Sequence, residues 1–506
     1  RAVGIVTTSG TAVAELLPAT VEAFHARVPL LLLTADRPSE LRGVGANQTI
    51  VQPGIFGSFV RWAVDAQVPD GEDLEQWEDL AAAAVRRAVI GPPGPVHLNL
   101  PFREPLVPSP DLGAGGAAPS DSSSSGATPP ASTAAAHVPH EEVREATAAD
   151  REALAPFVDG KRGLVYAGSV RRAMPSVVAL AEWLGWPLVA EPMSGVRVPG
   201  ALTAGRLLLG DDTFIGAHRP EVVLQIGAAP TSRAGLNLVG SGVRLAIVDP
   251  DQLVADPTRS AALTVHADPE SLARALPERG VSPAPAEWLA TWREADTATR
   301  TAIDTFLDGI DDPFEGRVAR DLAAMLPDGD TLLVGSSMPV RDLDAFMAPR
   351  EGLRVLANRG ASGIDGVVST AFGIAASGAP TTALIGDLTF LHDVGGFLWN
   401  ARRGAPVTFV VLNNGGGGIF PLLSQKDLPP DELERLFVTP HGLDLAQIAR
   451  AADALHIRVD RADALTGAVG QARAARTTTL IEVVVDRVGN AALRSGLTTE
   501  VTRALV

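Results

Sequence analysis

Two runs decide the fold: Thr381-Thr-Ala-Leu-Ile-Gly-Asp387 and Pro406-Val-Thr-Phe-Val-Val-Leu-Asn-Asn414. Each is a short apolar run closed by a polar residue, the pattern of a strand buried on both faces of a parallel sheet. Asp387 and Asn414 stand 414 − 387 = 27 positions apart, about one strand–helix–strand crossover. The spacing predicts that both polar ends emerge side by side at the carboxyl edge of one sheet, where open α/β sheets bind ligands. A carboxylate, an amide oxygen and nearby backbone carbonyls make a hard, all-oxygen site. Such a site suits Mg2+ that also takes oxygens from a phosphate.

Around these runs the last third of the chain reads as one α/β block. Helix Trp288–Leu307 leads into strands Thr331–Val334, Arg354–Ala357, Thr382–Ile385, Val407–Leu412 and Leu480–Val485. The turn Gly335-Ser-Ser-Met-Pro-Val-Arg341 has the shape of an anion-binding strand-to-helix turn. The loop Asn358-Arg-Gly-Ala-Ser-Gly-Ile-Asp-Gly366 carries glycines that let backbone approach a ligand, with Arg359 at the strand end. Gly415-Gly-Gly-Gly-Ile-Phe420 frees a backbone carbonyl for a metal and lets Phe420 swing over the site. His392 and Asp393 look like a dyad, but neighbours on a helix do not face each other, so they read as helix-surface residues.

Two further blocks precede this one. In the first, strand Ala2–Thr7 leads to a helix opened at Ser9-Gly-Thr with a hydroxyl cap and running to about Ala26. Pro29–Thr34 reads as a fully buried parallel strand, followed by helix Glu72–Ile90 and strand Pro95–Leu100. Residues 111–141, Gly, Ala, Ser and Pro with almost no large apolar side chain, read as a disordered linker. The second block places strands Gly163–Tyr166, Pro187–Ala190, Val222–Ile226 and Arg244–Val248 among helices such as Pro175–Leu184. It is Rossmann-like but lacks G-x-G-x-x-G. Gly227-Ala-Ala-Pro and Asp249-Pro-Asp leave its strand ends without a dinucleotide loop, as in a lost or modified cofactor site. The expected organisation is domains 1–110, 142–285 and 286–506: three consecutive doubly wound parallel-sheet units.

Composition excludes several classes. With 506 residues, 46% hydrophobic and no Cys, the chain can bury large cores but supports no disulfide or thiolate chemistry. No apolar run approaches the ~20 residues of a membrane span. A net charge of −17 without a basic stripe argues against nucleic acid. An anionic substrate would be repelled overall, so locally placed arginines must hold it. Only Lys161 and Lys426 are lysines, so 42 − 2 = 40 basic residues are Arg, a bias that codon usage explains.

The combined motifs resemble a known family. Gly-Asp followed 27 positions later by Asn-Asn is similar to the thiamine-diphosphate motif. The three-block order is similar to that superfamily's pyrimidine-binding, central and diphosphate-binding domains. Thr8-Ser-Gly-Thr-Ala-Val13, Leu33-Thr-Ala-Asp-Arg-Pro38 with Gly45-Ala-Asn-Gln48, Asn358-Arg-Gly-Ala-Ser-Gly-Ile-Asp365 and Asn413-Asn-Gly-Gly…Ile-Phe420 narrow the resemblance. Together they resemble the MenD family of menaquinone biosynthesis, the 2-succinyl-5-enolpyruvyl-6-hydroxy-3-cyclohexene-1-carboxylate (SEPHCHC) synthases.

The resemblance implies roles residue by residue. Asp387, Asn414 and the Gly416 carbonyl would hold Mg2+ (or Mn2+) on the diphosphate, supported by Gly335, Ser337, Gly386 and Thr389. Ile364 would prop the bent cofactor. Ser337, Arg341 and Arg359 would face 2-oxoglutarate. Arg37, Asn47 and Gln48, with Arg233 of the central block, would face isochorismate. Ser337, Arg341, Arg359 and Gln48 form the implied catalytic set, and Phe420 and Leu423 would wall the pocket. The implied reaction is decarboxylation of 2-oxoglutarate and addition of the resulting carbanion to isochorismate. A homodimer or homotetramer with the active site at the subunit interface is implied, in the cytoplasm, with neither nucleic acid nor membrane as partner.

Two departures stand out. The family's cofactor-activating Glu and a substrate-binding Ser-Arg pair lie upstream of the Thr-Ser-Gly-Thr block, which here begins at Thr8. Glu15 and Glu22 fall after that block and read as helix residues. The expectation is a first domain truncated at its N-terminus, an unpaired sheet edge, and slow or absent turnover from these residues alone. The second departure is Ala234, where some relatives carry a basic residue after the Arg matched by Arg233. Rival readings are an acetolactate-synthase-like or other 2-oxoacid decarboxylase, or a non-catalytic paralogue. A nicotinamide dehydrogenase would need the glycine fingerprint that is missing.

Overall fold

Among the described residues every strand pairing is parallel, and the strands fall into three sheets of four, five and six. The structure, a computed structural model, describes residues 2–69, 74–104, 106, 144–170, 174–250 and 256–505. The expected linker 111–141 lies outside the described residues. Two compact units emerge: Arg1–Glu142 with Arg359–Ser362, and Val143–Asn358 with Gly363–Val506.

The first unit holds β1 (Val3–Thr7), β2 (Leu30–Asp36), β3 (Trp62–Asp65) and β4 (Val96–Pro101), in the order β1-β2-β4-β3. Two expectations fail here. Pro29–Thr34 was to be fully buried, yet along β2 only alternate residues are buried. β1, which covers one flank of β2, is itself an edge strand with Val6 78% exposed. The helix from Ser9 to Ala26 is two helices, Thr11–Ala14 and Leu17–His25, with Pro18 in the first turn of the second. Ser9 does not cap; its hydroxyl donates to the Gln48 carbonyl, and Gly10 holds the cap position at φ 88°.

The second unit holds the other two sheets. β5 (Gly163–Ala167), β6 (Leu188–Ala190), β7 (Val222–Ile226), β8 (Arg244–Val248) and β9 (Ala261–Val265) run in the order β6-β5-β7-β8-β9. The strand order reverses between β5 and β7, where such sheets open their ligand crevice. Backbone fills that crevice here. Gly168 N donates to Ile226 O, Ala228 N donates to Ser169 O, and a Cβ on Gly168 would lie 2.0 Å from the Ala228 carbonyl oxygen.

The six-stranded sheet comprises β10 (Thr331–Val334), β11 (Arg354–Leu356), β12 (Thr381–Gly386), β13 (Val407–Asn413), β14 (Leu455–Val459) and β15 (Thr479–Val484), in the order β11-β10-β12-β13-β15-β14. Its central strands are buried on both faces. Leu332, Leu384, Val410 and Ile481 pack to one side with the helices Glu315–Met325 and Ala464–Ala475. Leu333, Ile385, Phe409 and Leu480 pack to the other with the helix Val367–Ala376. Alternation along these apolar-rich strands feeds two cores at once; Glu482, the carboxylate within β15, is buried and met by Asn413 Nδ2 and His456 Nε2. β10 connects outward to β11 while β12 connects the other way to β13, so the crevice opens between the ends of β10 and β12. Among the described residues, no helix is long and apolar enough to cross a membrane.

Candidate functional site

β12 and β13 are paired from Thr381↔Val407 to Gly386↔Leu412, so Asp387 and Asn414 leave the sheet together, as their spacing predicts. Asp387 opens the helix Asp387–His392 and is buried. Its Oδ1 accepts from Leu388 N at 2.6 Å and its Oδ2 from Gly416 N at 2.9 Å. Burial raises its pKa, opposed by those two N–H groups and by His441. His441 Nε2 lies 3.3 Å from Asp387 Oδ2, while its Nδ1 accepts from Leu443 N. That second bond puts the proton of a neutral ring on Nε2, facing the carboxylate.

Asn413 and Asn414 divide the work of the pair. Asn413 is structural: its Nδ2 donates to Glu482 Oε1 at 2.6 Å and its Oδ1 accepts from Gly415 N. Asn414 Nδ2 donates to Glu315 Oε1 at 2.8 Å, while its Oδ1 is buried with no protein partner. A buried amide oxygen left alone is costly unless something else meets it. Gly416 sits at φ 144°, and a Cβ there would lie 2.4 Å from Val438 O. Its carbonyl accepts from Gly418 N at 3.0 Å and keeps a second lone pair. No group of three or more His, Cys, Asp or Glu able to hold a metal occurs among the described residues. The donors at this edge are therefore Asp387, the lone Oδ1 of Asn414 and backbone carbonyl, which fit a hard divalent cation.

Across the crevice, β10 ends in Gly335, whose N donates to Leu384 O and whose carbonyl accepts from Val340 N. A Cβ on Gly335 would lie 3.2 Å from the Ile385 side chain, so glycine keeps β10 and β12 close. Ser337 precedes the helix Met338–Phe346 at φ 72° and ψ −127°, a region L-residues avoid. Arg341 Nη1 donates to the Ser337 carbonyl at 2.6 Å. Thr389 is buried in the first turn after Asp387, and Ile364 is half-buried just before the helix Val367–Ala376. Phe420 does not stand over open space: its ring occupies the place of a Cβ on Gly417 and packs on Phe437 at 5.5 Å. Leu423 is half-buried in the same turn. Arg233 is exposed at the start of the helix Arg233–Gly240, beyond β7. Asp393 accepts from both N and Oγ of Ser369, tying two helices together, and His392 is exposed.

Within the first unit, Gln48 adopts φ 57°, and its Nε2 donates to Thr8 Oγ1 and Ser9 O. Asn47 is exposed, and its carbonyl accepts from Thr49 Oγ1. Arg37 N donates to Asp36 Oδ1, and its carbonyl accepts from Arg42 Nε. Arg359 is half-buried; the amides of the next two residues, Gly360 and Ala361, donate to the two oxygens of Glu22. Glu22 is thus a loop anchor rather than a plain helix residue.

Several functional neighbours escaped the sequence reading. Glu315, His441 and Arg494 reach the Asp387–Asn414 edge from remote segments. Gln52, fully buried, joins the first unit's strand ends: its Oε1 accepts from Gly10 N, and its Nε2 donates to Ala35 O and Asn99 Oδ1. The local signal at Gln52 is a polar residue between apolar neighbours, which does not single it out.

The family described as thiamine pyrophosphate enzyme, C-terminal TPP binding domain, matches residues 339–483. The middle domain of thiamine pyrophosphate enzymes matches residues 133–334. A 2-succinyl-5-enolpyruvyl-6-hydroxy-3-cyclohexene-1-carboxylate synthase of Thermobifida fusca is 41% identical, covering 100% of this chain and 88% of the relative. Synthases of the same name from Chloroflexus aurantiacus and Geobacillus thermodenitrificans are 42% and 40% identical, each over 88% of this chain and 76% of the relative. The paired Asp–Asn edge and kinship across the whole chain lead to one conclusion: the chain belongs to the 2-succinyl-5-enolpyruvyl-6-hydroxy-3-cyclohexene-1-carboxylate synthase family of thiamine pyrophosphate enzymes.

Proposed function

We propose that this chain is a decarboxylating carboligase that joins 2-oxoglutarate to isochorismate, giving SEPHCHC and CO2. The observation that carries this reading is the partnerless Oδ1 of Asn414 beside Asp387, in a chain that aligns over its own length with 88% of a synthase of that name. Thiamine diphosphate, when bound, would supply the electron sink that lets 2-oxoglutarate lose CO2 and its former keto carbon act as the nucleophile.

The chain's own residues bind, orient and exclude water. Asp387, Asn414 and the Gly416 carbonyl hold Mg2+ or Mn2+, and Gly335, Ser337, Gly386 and Thr389 line the diphosphate. Ile364 supports the cofactor's body. Both substrates are dicarboxylates, and guanidinium groups grip carboxylates bidentately. Ser337, Arg341 and Arg359 are assigned to 2-oxoglutarate; Arg37, Asn47, Gln48 and Arg233 are assigned to isochorismate. These arginines offset locally a chain whose net charge is −17. Phe420 and Leu423 would supply apolar wall that excludes water from the pocket. The four-, five- and six-stranded sheets are assigned as pyrimidine-binding, central and diphosphate-binding domains, within 1–110, 142–285 and 286–506. A homodimer or homotetramer in the cytoplasm completes the proposal.

The test compares CO2 release from carboxyl-labelled 2-oxoglutarate and pyruvate, with thiamine diphosphate and Mg2+ present. Preference for 2-oxoglutarate, with isochorismate consumed in step, is expected. Preference for pyruvate would replace this reading with an acetolactate-synthase-like one.

A further inference from the structure

We infer that Glu315 is a positioning residue that fixes which end of the Asn414 amide faces the metal; this rests on the reading of Asn414 as a metal ligand. Glu315 opens the helix Glu315–Met325 and is completely buried. One of its oxygens, Oε1, accepts from Asn414 Nδ2 at 2.8 Å, and the other, Oε2, accepts from Arg494 Nη2 at 2.9 Å. A carboxylate only accepts, so the Asn414 atom that meets it must be the NH2. The amide oxygen is thereby turned the other way, where it is buried and without a protein partner.

Arg494 makes this arrangement rigid. It lies in the C-terminal helix Arg487–Ala504, with its guanidinium 5.2 Å over the Phe314 ring. It also pairs with both oxygens of Asp342, a fully buried residue next to Arg341. The chain Asn414–Glu315–Arg494–Asp342 therefore links the metal edge to the helix that carries Arg341. A guanidinium is donor-only and cannot reverse its polarity, whereas an asparagine amide can, by rotating about its last bond.

This asymmetry makes an isosteric test informative. In Glu315→Gln, an NH2 group faces either Arg494 or Asn414, each a donor. Arg494 cannot relieve the conflict, and the neighbouring Asn490 is held by its Oδ1 accepting from Glu315 N; Asn414 relieves it by turning its oxygen toward the introduced amide and its NH2, which cannot coordinate, toward the metal. Adding Asn414→Asp reverses the effect: the new carboxylate accepts from the introduced amide with one oxygen and offers the other to the metal.

Mn2+ binding is read by electron paramagnetic resonance on the full chain with saturating thiamine diphosphate, alongside thermal melts without metal. Glu315→Gln is expected to weaken Mn2+ binding about 10–100-fold, the usual effect of losing a partner behind a metal ligand. Asn414→Ala should lose at least as much, and Glu315→Gln with Asn414→Asp should regain most of the affinity. If Asn414→Ala binds Mn2+ like the parent, the metal reading falls and takes this inference with it. If Asn414→Ala is weak while Glu315→Gln binds like the parent, the inference alone is overturned. Should Glu315→Gln fail to fold, the charge-conserving double variant decides: tight Mn2+ binding supports the inference, and binding as weak as Asn414→Ala overturns it.

Discussion

Arg341 closes back on Ser337: its Nη1 donates to the Ser337 carbonyl oxygen at 2.6 Å, while Ser337 is held at φ 72° and ψ −127°. A serine in that region stores roughly 1–3 kcal/mol of backbone strain, which tends to be tolerated at functional sites. Ser337→Gly should therefore raise the thermal midpoint of the metal-free protein, since the strain relieved exceeds the ~0.5–1 kcal/mol that glycine's flexibility costs. Ser337→Ala keeps the strain and should not stabilise. Both should bind 2-oxoglutarate less well if the hydroxyl contacts it. Equal midpoints for the two variants would show that the serine is not strained.

Gly416 answers to a steric limit. At φ 144°, with Val438 O 2.4 Å from where a Cβ would stand, Gly416→Ala must shift either the loop after Asn414 or the segment at Val438. A destabilisation above ~1 kcal/mol is expected, together with loss of divalent-metal protection in thermal melts. Full metal protection in the variant would show that the loop can move without consequence.

His97 gives the first unit a pH dependence. It is buried beneath Phe56, its Nε2 is 2.7 Å from Thr34 Oγ1, and burial lowers its pKa to about 4, against the pull of Asp65 and Asp36. The unfolded chain takes up the proton near pH 6.5 and the folded chain only near pH 4, so stability is lost as pH falls between these values. The shift corresponds to about 3 kcal/mol. Denaturant unfolding of the parent and His97→Gln between pH 7 and 4.5 should show a steeper loss in the parent. Parallel curves would contradict the assignment.

What could be read from sequence follows the physics of burial. β10, β12 and β13 are apolar-rich runs because two cores need them, and Asp387 and Asn414 are conspicuous where β12 and β13 end. The strands that went unread, β3, β9 and β14, each lie at one edge of a sheet and combine that place with mixed exposure and no continuous run. Glu315 meets Asn414 across 99 positions and Arg494 meets Glu315 across 179, so no local pattern announces either contact. Glu22 looked like any amphipathic-helix carboxylate, because its value lies in two backbone amides 338 and 339 positions away.

Arg197 anchors the far end of the helix that carries Arg341. Its buried guanidinium donates to Met347 O, Asp344 O and Ala190 O and lies 3.5 Å from Asp344 Oδ1. Arg206 adds a bond to the Arg341 carbonyl, and its Nε lies 3.7 Å from Asp344 Oδ2. Arg197→Met should cost roughly 3–5 kcal/mol, because it leaves Asp344 buried with a weaker counter-charge and orphans the helix-end carbonyls. Chemical denaturation measures this; a loss below ~1 kcal/mol would mean that Arg206 suffices to neutralise Asp344.

Asp387 and Asn414 are proposed to hold the metal that anchors a diphosphate. Calorimetric titration of thiamine diphosphate into the protein tests it most directly, with Mg2+ present or chelated, for the parent and Asp387→Ala. The account predicts tight binding that requires Mg2+ in the parent and is lost in Asp387→Ala. Thiamine diphosphate binding of equal strength with and without Mg2+, or unchanged in Asp387→Ala, would contradict it.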